Sequence, residues 1–212
     1  MMKRAMIFLG LSVAAASQAS LFNTTVFTTF NSDGNSPSLS PVYVTNGNTY
    51  TASFTGANVD SGKWLDITWW HTFDTTVASA NSPASAPYTQ VTQTMSGLVR
   101  QIVGTGTATF TASLTENTLN NSGAGMGNSN PVFNFSQTVG TQWVPFSLSA
   151  TTIFSSPMTS GLSQKDNLLL NTSQGVEVQI TSISQNYTPV PEPATMAVLG
   201  LGTAALIRRR RK

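Results

Sequence analysis

The chain has 212 residues, of which 40% are apolar, so it is long enough for one domain of ordinary size with its own hydrophobic core. Only 8% of the residues are charged, and neutral Thr, Ser, Asn and Gly residues therefore supply most of the polar surface. Residues 20–193 carry eight carboxylates and three cations, a net charge of −5 that disfavours nucleic-acid binding, and the lack of cysteine excludes disulfides, thiolate metal sites and a cysteine nucleophile.

The first 19 residues have the three parts of a secretory signal peptide. Lys3 and Arg4 give a basic start, residues 5–16 form an apolar run, and Ser17-Gln18-Ala19 ends the segment. Small side chains at positions 17 and 19 suit the shallow pockets of a signal peptidase, and the apolar run is too short to be a comfortable membrane span. We therefore expect export and removal of the segment by signal peptidase after Ala19.

Residues 20–186 have the pattern of one all-β domain, because runs rich in Thr, Val, Ile and Phe alternate with Gly, Pro, Asn and Ser clusters. The clearest strand covers residues 107–115, where apolar and hydroxylated side chains alternate. Further strands are predicted at 22–30, 49–55, 63–73, 88–95 and 98–103, around Phe133 and Phe135, and at 142–154 and 175–181. Roughly nine or ten such strands predict an antiparallel β-sandwich of the jelly-roll kind, with a closed barrel as the alternative. No amphipathic helix is expected before Ala194.

Two tryptophans in the strand at 63–73 are the candidate ligand contacts. Residues Leu65, Ile67, Trp69, His71 and Phe73 alternate onto one face, which is the predicted core side. Trp64 and Trp70 fall on the opposite face with Asp66, Thr68 and Thr72. An exposed indole beside hydroxyl and carboxylate groups can stack on a sugar ring, so Trp64 and Trp70 are candidate glycan contacts. The alternative is that they cover a second sheet or an interface.

Catalytic chemistry finds little support in the sequence. His71 is the one histidine, and the chain lacks the Gly-x-Ser-x-Gly and Ser-x-x-Lys motifs of serine nucleophiles, so we expect a packed histidine rather than a catalytic base or metal ligand. Asp60, Asp66 and Asp74 could supply the two carboxylates of a glycosidase, but isolated Asp residues are also common at strand edges. We predict that the protein is not an enzyme and has no catalytic residues.

Three loops contain residue types that also occur in calcium or phosphate sites. Residues 31–35 and 58–62 each offer some oxygen ligands for calcium, but neither loop has two carboxylates and an Asx turn explains both. The Gly-rich residues 123–127 lack the helix and lysine of a phosphate-binding loop and are interpreted as a mobile connection. The sequence therefore indicates neither a metal site nor a cofactor, although calcium binding stays open.

The C-terminal segment has three parts with distinct physical roles. Residues 187–193 form a Pro-rich linker in which Pro191 and Pro193 hold Glu192 on stiff, extended backbone. Residues 194–207 are apolar and, as a helix, would reach about 21 Å, which is short for a bilayer core of about 30 Å. The basic residues Arg208, Arg209, Arg210, Arg211 and Lys212 follow and would hold this end in the cytoplasm. We therefore expect a transmembrane helix at 194–207 with a cytoplasmic tail at 208–212.

The sequence Val190-Pro191-Glu192-Pro193-Ala194-Thr195, followed by a Gly-containing apolar run and an Arg cluster, resembles the PEP-CTERM protein-sorting signal. The resemblance implies a Gram-negative host that makes exopolysaccharide and recognition of the tail by exosortase, a multi-spanning membrane transpeptidase. Pro191, Glu192 and Pro193 would then be substrate residues rather than catalytic ones. The resemblance is confined to the tail and says nothing about the β domain before it. The β domain itself resembles no family that we recognise.

These features together predict an exported structural or adhesive protein of the cell envelope or the extracellular space, held briefly in the inner membrane and associated with exopolysaccharide. A secreted carbohydrate-binding or glycan-active protein is the alternative, and a structural subunit that polymerises through strand pairing is a third. The expected partners are signal peptidase, exosortase, the membrane through residues 194–207, and exopolysaccharide. The ligand of the β domain and its oligomeric state stay open at this point.

Overall fold

The computed structural model describes residues 21–31, 41–76 and 86–191, with all their side chains except those of residues 21–31, 56 and 164–169. The described part of the chain forms strands and no helix. The strands are β1 (Leu21–Asn31), β2 (Val42–Asn46), β3 (Thr49–Val59), β4 (Trp64–Asp74), β5 (Tyr88–Gln101), β6 (Gly106–Leu119), β7 (Gly125–Ser129), β8 (Val132–Val139), β9 (Val144–Met158), β10 (Ser160–Thr172) and β11 (Val176–Pro189). The predicted all-β class is therefore confirmed.

Two antiparallel sheets make up the fold. Sheet A has the order β1-β4-β10-β6-β7, with β8 also paired to β6, and sheet B has the order β2-β3-β11-β5-β9. The chain changes sheet at each step from β3 to β6 and again from β8 to β11. The predicted antiparallel sandwich is confirmed and the alternative of a single closed barrel is wrong, while the finer assignment to the jelly-roll kind stays a prediction.

The hydrophobic core lies between the sheets and consists of inward side chains of β3 to β6 and of β8 to β11. Trp69 on β4, Met95 on β5, Leu114 on β6 and Ile180 on β11 are at most 1% exposed. Burial alternates along β4, β5 and β6 with the two-residue period of a strand. Each of these three strands therefore buries one face and leaves the other face partly or fully exposed. Burial of this apolar surface is the main favourable term in folding.

A fully buried carboxylate, Glu116, interrupts the apolar core. Its two oxygens accept four hydrogen bonds from neutral side chains of β5, β6, β10 and β11. The donors are Gln93 Nε2 at 2.9 Å, Gln185 Nε2 at 2.8 Å, Thr118 Oγ1 at 2.6 Å and Ser163 Oγ at 2.8 Å. Trp69 Nε1 donates to Gln185 Oε1 at 3.3 Å, which leaves the amide nitrogen of Gln185 facing Glu116. Because a buried polar group is costly unless it is bonded, this cluster ties the two sheets together at one register.

The two ends of the sandwich differ in which loops they carry. At one end, here called the tail end, β11 finishes at Pro189 beside Tyr88, and Tyr88 is also paired with Met158. At the other, here called the far end, β4 begins at Trp64 and β11 begins at Val176. The length of β4 separates the ends by about 33 Å at 3.3 Å per residue.

Several predicted strand limits are corrected by the structure. The strands expected at 88–95 and 98–103 are one strand, β5, which runs through Gly97. β2 and β10 were not predicted. The Gly-rich stretch at 123–127, interpreted as a mobile connection, contains the start of β7, which pairs with the end of β6. β11 continues to Pro189, so its last three residues lie in the segment that the sequence analysis assigned to the linker at 187–193.

The expected signal peptide at 1–19, the apolar segment at 194–207 and the basic tail at 208–212 lie outside the described residues. Within the ranges that are described, no helix has the length and the apolar content needed to cross a membrane.

Candidate functional site

Both tryptophans predicted to face outward do so. Trp64 is 37% exposed and Trp70 is 43% exposed, while Trp69 between them is buried. The cause is the two-residue period of β4, whose inward face carries the core residues and whose outward face belongs to the outer surface of sheet A. The alternative that Trp64 and Trp70 cover the second sheet is wrong, since sheet B lies on the opposite side of β4.

The strand register places Trp64 at the end of a row of neutral polar side chains that crosses sheet A. Asn171 on β10 is opposite Trp64, Thr111 on β6 is opposite Asn171, and Asn134 on β8 is opposite Thr111. All four residues are exposed. Neighbouring strands lie about 4.8 Å apart, so this row, here called the Trp64 row, extends about 14 Å across the sheet. The Trp64 row offers one aromatic face followed by amide and hydroxyl groups.

A surface groove of about 390 Å³ follows the row on its β6 side. It is lined by Thr109, Phe110, Thr111, Asn134, Phe135, Ser136, Asn171, Thr172 and Ser173. Phe110 and Phe135 stack below it with ring centroids 4.5 Å apart, and Thr109 Oγ1 and Ser173 Oγ lie 2.6 Å apart at its edge. Every lining residue is uncharged, so the groove suits a neutral ligand with many hydroxyl groups better than a phosphate or a metal ion.

Trp70 is not part of such a row. It lies six residues from Trp64 on the same face of β4, about 20 Å along the strand. The pairing of β4 with β10 shifts between His71 and Trp69, where a bulge in β10 falls between Ser163 and Asp166. The register therefore assigns no β10 residue to a position opposite Trp70. The two tryptophans share the outward face of β4, as predicted, but only Trp64 lies beside a row of polar side chains.

The carboxylates considered for a glycosidase do not form a pair along β4. Asp66 and Asp74 are eight residues apart on one strand, which corresponds to about 26 Å. Glycosidase carboxylates are separated by about 5 to 10 Å. Asp60 lies in the turn before β4 at the far end, where its carbonyl accepts from Lys63 N at 3.0 Å, so it is further still from Asp74.

The loop at 58–62 that was considered for calcium is closed by protein contacts. Thr172 Oγ1 donates to the carbonyl of Asp60 at 2.5 Å, and Gly175 N donates to Ser61 Oγ at 2.6 Å. No group of three or more His, Cys, Asp or Glu side chains that could hold a metal ion occurs within the described ranges. The second loop, at 31–35, lies outside them except for the backbone of Asn31.

His71 is a packed core residue, as predicted. It is fully buried, its Nε2 lies 3.0 Å from the Tyr187 hydroxyl, and its ring stacks on Tyr50 with centroids 4.7 Å apart. Burial lowers the pKa of His71 to about 3, because the charged imidazolium loses its hydration inside the sandwich. The imidazole is therefore neutral in the folded protein at neutral pH.

The predicted sorting residues lie at the limit of the described chain. Val190 N donates to the Pro87 carbonyl at 2.7 Å, and Pro191 is exposed directly after it. Glu192, Pro193 and the basic residues Arg208, Arg209, Arg210, Arg211 and Lys212 lie outside the described residues, as does Ala19 at the expected signal cleavage site.

Sequence reasoning missed Asn171, Thr111 and Asn134 as partners of Trp64. Thr111 and the Phe135 region were assigned to strands, and their outward side chains follow from the alternation. The pairing that brings them beside Trp64 requires β10, which was not predicted, and cross-strand register is not encoded in spacing along one strand.

Comparison with known proteins gives one family match. Residues 189–212 match the family model described as the PEP-CTERM protein-sorting motif, which confirms the resemblance found in the sequence. Such a motif implies export, recognition by an exosortase, and processing during membrane transit. The search of curated proteins found no match.

Three solved structures illustrate the structural likenesses. The CBM22-1–GH10 modules of the endo-1,4-β-D-xylanase 10B of Clostridium thermocellum, complexed with xylohexaose, share 14% identity over 80% of this chain with a TM-score of 0.30, and this chain spans 29% of that one. TmCBM61 complexed with β-1,4-galactotriose shares 8% identity over 76% of this chain and 88% of its own, with a TM-score of 0.34. The CBM22-1 xylan-binding domain of Paenibacillus barcinonensis Xyn10C shares 12% identity over 82% and 99%, with a TM-score of 0.27. Likenesses of this extent assign no ligand to this chain.

Proposed function

Because this chain is an exported protein with a PEP-CTERM sorting motif at residues 189–212, we propose that its β-sandwich is a non-enzymatic glycan-binding domain that works outside the cytoplasm. The ligand is a neutral polysaccharide of the envelope or of the surrounding matrix, and the binding surface is the Trp64 row with its groove. The protein acts there as a structural or adhesive component of the matrix that exopolysaccharide forms.

The Trp64 row is the observation that carries this proposal. A pyranose ring has one apolar face and an edge of hydroxyl groups, and the row supplies an exposed indole followed by Asn171, Thr111 and Asn134. The indole offers its face to the C–H side of a ring, while amide and hydroxyl groups both donate and accept towards the hydroxyl edge. Loss of water from the indole supplies affinity, and the polar groups fix the orientation of the ligand.

The charge distribution supports a neutral ligand. The lining of the groove has no ionisable side chain, and the ion pair of Arg100 with Glu177 at 2.6 Å lies on sheet B. Only 8% of the residues are charged, and hydroxyl and amide groups supply most of the polar surface. Few charged groups therefore need to lose water when the protein contacts a polysaccharide.

The test is affinity electrophoresis of the exported protein in gels that contain the native polysaccharide of the host. Trp64→Ala should weaken binding about tenfold or more, which corresponds to about 1.4 kcal/mol of lost contact. Asn171→Ala should weaken binding without a change in the melting temperature, because Asn171 is exposed. Tyr43→Ala is the matched control, since Tyr43 is a 43% exposed aromatic residue on sheet B. Equal migration of the Trp64 and Tyr43 variants would remove the proposal.

A second candidate function, a subunit that polymerises through strand pairing, is favoured by β2. Among the described strands, β2 pairs only with β3 and so forms an edge of sheet B. Its residues Val42, Tyr43 and Val44 are 65%, 43% and 53% exposed. An exposed apolar edge is a template for pairing with another strand. Sedimentation velocity tests this candidate. Higher oligomers that are absent in the Val44→Lys variant support it, and a wild-type protein that stays monomeric at high concentration rules it out.

A further inference from the structure

The folded domain holds the chain until the residue before the Pro-Glu-Pro sequence. Pro189 is paired with Tyr88 at the end of β11, and Val190 N then donates to the Pro87 carbonyl at 2.7 Å. One residue further, Pro191 is exposed. β11 lies between β3 and β5, so it is an interior strand of sheet B rather than an edge. No free linker separates the sheet from the sorting motif, which begins at residue 189.

Tyr187 anchors this strand end inside the core. It is fully buried, its ring lies 5.0 Å from that of Phe73 and 5.1 Å from that of Tyr88, and its hydroxyl is 3.0 Å from His71 Nε2. Its backbone N–H also donates to the Asn48 carbonyl at 2.9 Å. Release of the chain before Pro189 would therefore require opening of the core at the tail end, which local fraying does not achieve.

The distance from the strand end to the apolar segment is short. Residues 190–193 separate Pro189 from the apolar run that starts at Ala194. A fully extended chain covers at most about 3.6 Å per residue, so the tail end stands within about 18 Å of that segment. The turns at the tail end, including the one after β6 and the one between β9 and β10, are therefore the part of the domain nearest to the apolar segment.

The tail end also carries a groove of about 440 Å³ that is lined by uncharged residues. Its lining residues are Asn120, Asn121, Ser122, Met126, Ser156, Pro157, Met158, Thr159 and Ser160. Within it, Asn121 Nδ2 donates to Ser160 Oγ at 2.8 Å across the two turns. This groove therefore lies at the same end of the sandwich as Pro189.

We propose that the folded sandwich limits where exosortase can act: because the chain is held in sheet B as far as Pro189, the enzyme engages it only from Val190 onward. Cleavage breaks one peptide bond C-terminal to Pro191, passes the acyl group of the domain to water or to an amine, and leaves the tail with a new amino terminus. The enzyme needs extended chain on both sides of the bond that it cuts. Because β11 ends directly before the motif, little free chain lies upstream of that bond, and this slows the step.

The same geometry orients the glycan surface. Trp64 lies at the far end, about 33 Å along β4 from Asp74 at the tail end. The Trp64 row therefore lies at the end of the sandwich away from the tail, and its exposure does not depend on processing. The orientation holds whether or not the row binds glycan, so the two proposals fail separately.

The experiment follows processing of the full chain in its host. A short Gly-Ser spacer inserted between Pro189 and Val190 leaves the sequence from Val190 onward intact and should raise the rate of processing several-fold. The control is the same spacer inserted after Gly104, an exposed turn residue at the far end with φ +72 and no neighbour within 4 Å of an added Cβ. Melting temperatures check that both variants fold.

The mass of the mature wild-type protein gives a second, independent readout. The proposal expects the released domain to end at Pro191 or later. A mature chain that ends before Pro191 would overturn it, as would equal processing rates for the wild type and the Pro189 spacer variant. The same increase in rate for both spacers would also overturn it, because the effect would then not depend on the junction.

Discussion

Acidification should destabilise this protein through His71. The imidazole is buried between Tyr50 and Tyr187, and burial lowers its pKa to about 3. In the unfolded chain the same group titrates near its ordinary value of about 6.5. Between these two values the unfolded state binds a proton that the folded state does not, so the free energy of unfolding falls as the pH falls from about 6.5 towards about 3.

The size of the effect follows from the difference in proton binding. At about pH 5 the unfolded His71 is about 1.5 pH units below its pKa while the folded imidazole is still neutral, which costs about 2 kcal/mol of stability at 1.36 kcal/mol per unit. Above about pH 7.5 the contribution is negligible. This is a substantial part of the 5–15 kcal/mol that stabilises a typical domain.

Urea denaturation of the wild type and of His71→Phe at about pH 7.5 and about pH 5 isolates this contribution. Since His71 is the one histidine of the chain, the other groups that titrate in this range, the carboxylates and the α-amino group, are shared by both proteins. His71→Phe should be less stable at the higher pH, because Tyr187 loses its partner, but should lose about 2 kcal/mol less on acidification. The same loss in both proteins would refute the reasoning.

Three further predictions concern stability, each measured by urea denaturation at neutral pH. Glu116→Leu should lower the free energy of unfolding by about 3 kcal/mol or more, because four buried donors lose their acceptor. Glu116→Gln should lower it less, because two of those donors are hydroxyls that can rotate and accept a hydrogen bond from the new amide. Equal losses for the two variants would contradict the bonding described. Gly97→Ala should cost about 1–3 kcal/mol, since its Cβ would lie 2.4 Å from a backbone oxygen, while Gly125→Ala, with nothing within 4 Å, should be neutral. Arg100→Ala should cost about 1 kcal/mol or less, because the 36% exposed side chain makes a screened ion pair and a cation–π contact at 4.4 Å.

The strands that the sequence predicts well are those in which one face is buried and the other is not. The alternation at 107–115 lies within β6, and the face assignment at 63–73 places every predicted inward and outward residue of β4 correctly. A period of two is a local property, so it is visible without any knowledge of the partner strand. The same is true of the sorting motif, whose chemistry is carried by consecutive residues.

The strands that the sequence predicts poorly depend on their neighbours. Gly97 separates two predicted strands, but it occurs within β5 because the Gln179 carbonyl and the Phe146 ring leave no room for a side chain. β10 contains the consecutive apolar residues 168–170 and a bulge, so its pattern does not alternate cleanly. β7 consists of residues with low strand propensity and forms through pairing with β6.

The candidate site shows the same division. Trp64 was found from its own strand, because an outward tryptophan on an alternating strand is visible in the sequence. Its neighbours come from three other strands, and their positions follow from registers fixed by the core and by the Glu116 cluster. Tertiary pairing of this kind cannot be read from spacing in one chain segment.

The most direct test of the glycan-binding account is NMR titration of the exported protein with fragments of the host polysaccharide. The account predicts that the Trp64 Nε1–H resonance and the side-chain amides of Asn171 and Asn134 shift together with one saturable isotherm. The side-chain amide of Asn186, which is exposed on β11 of sheet B, should not move. Shifts confined to sheet B, or none in the Trp64 row at saturating ligand, would contradict the account.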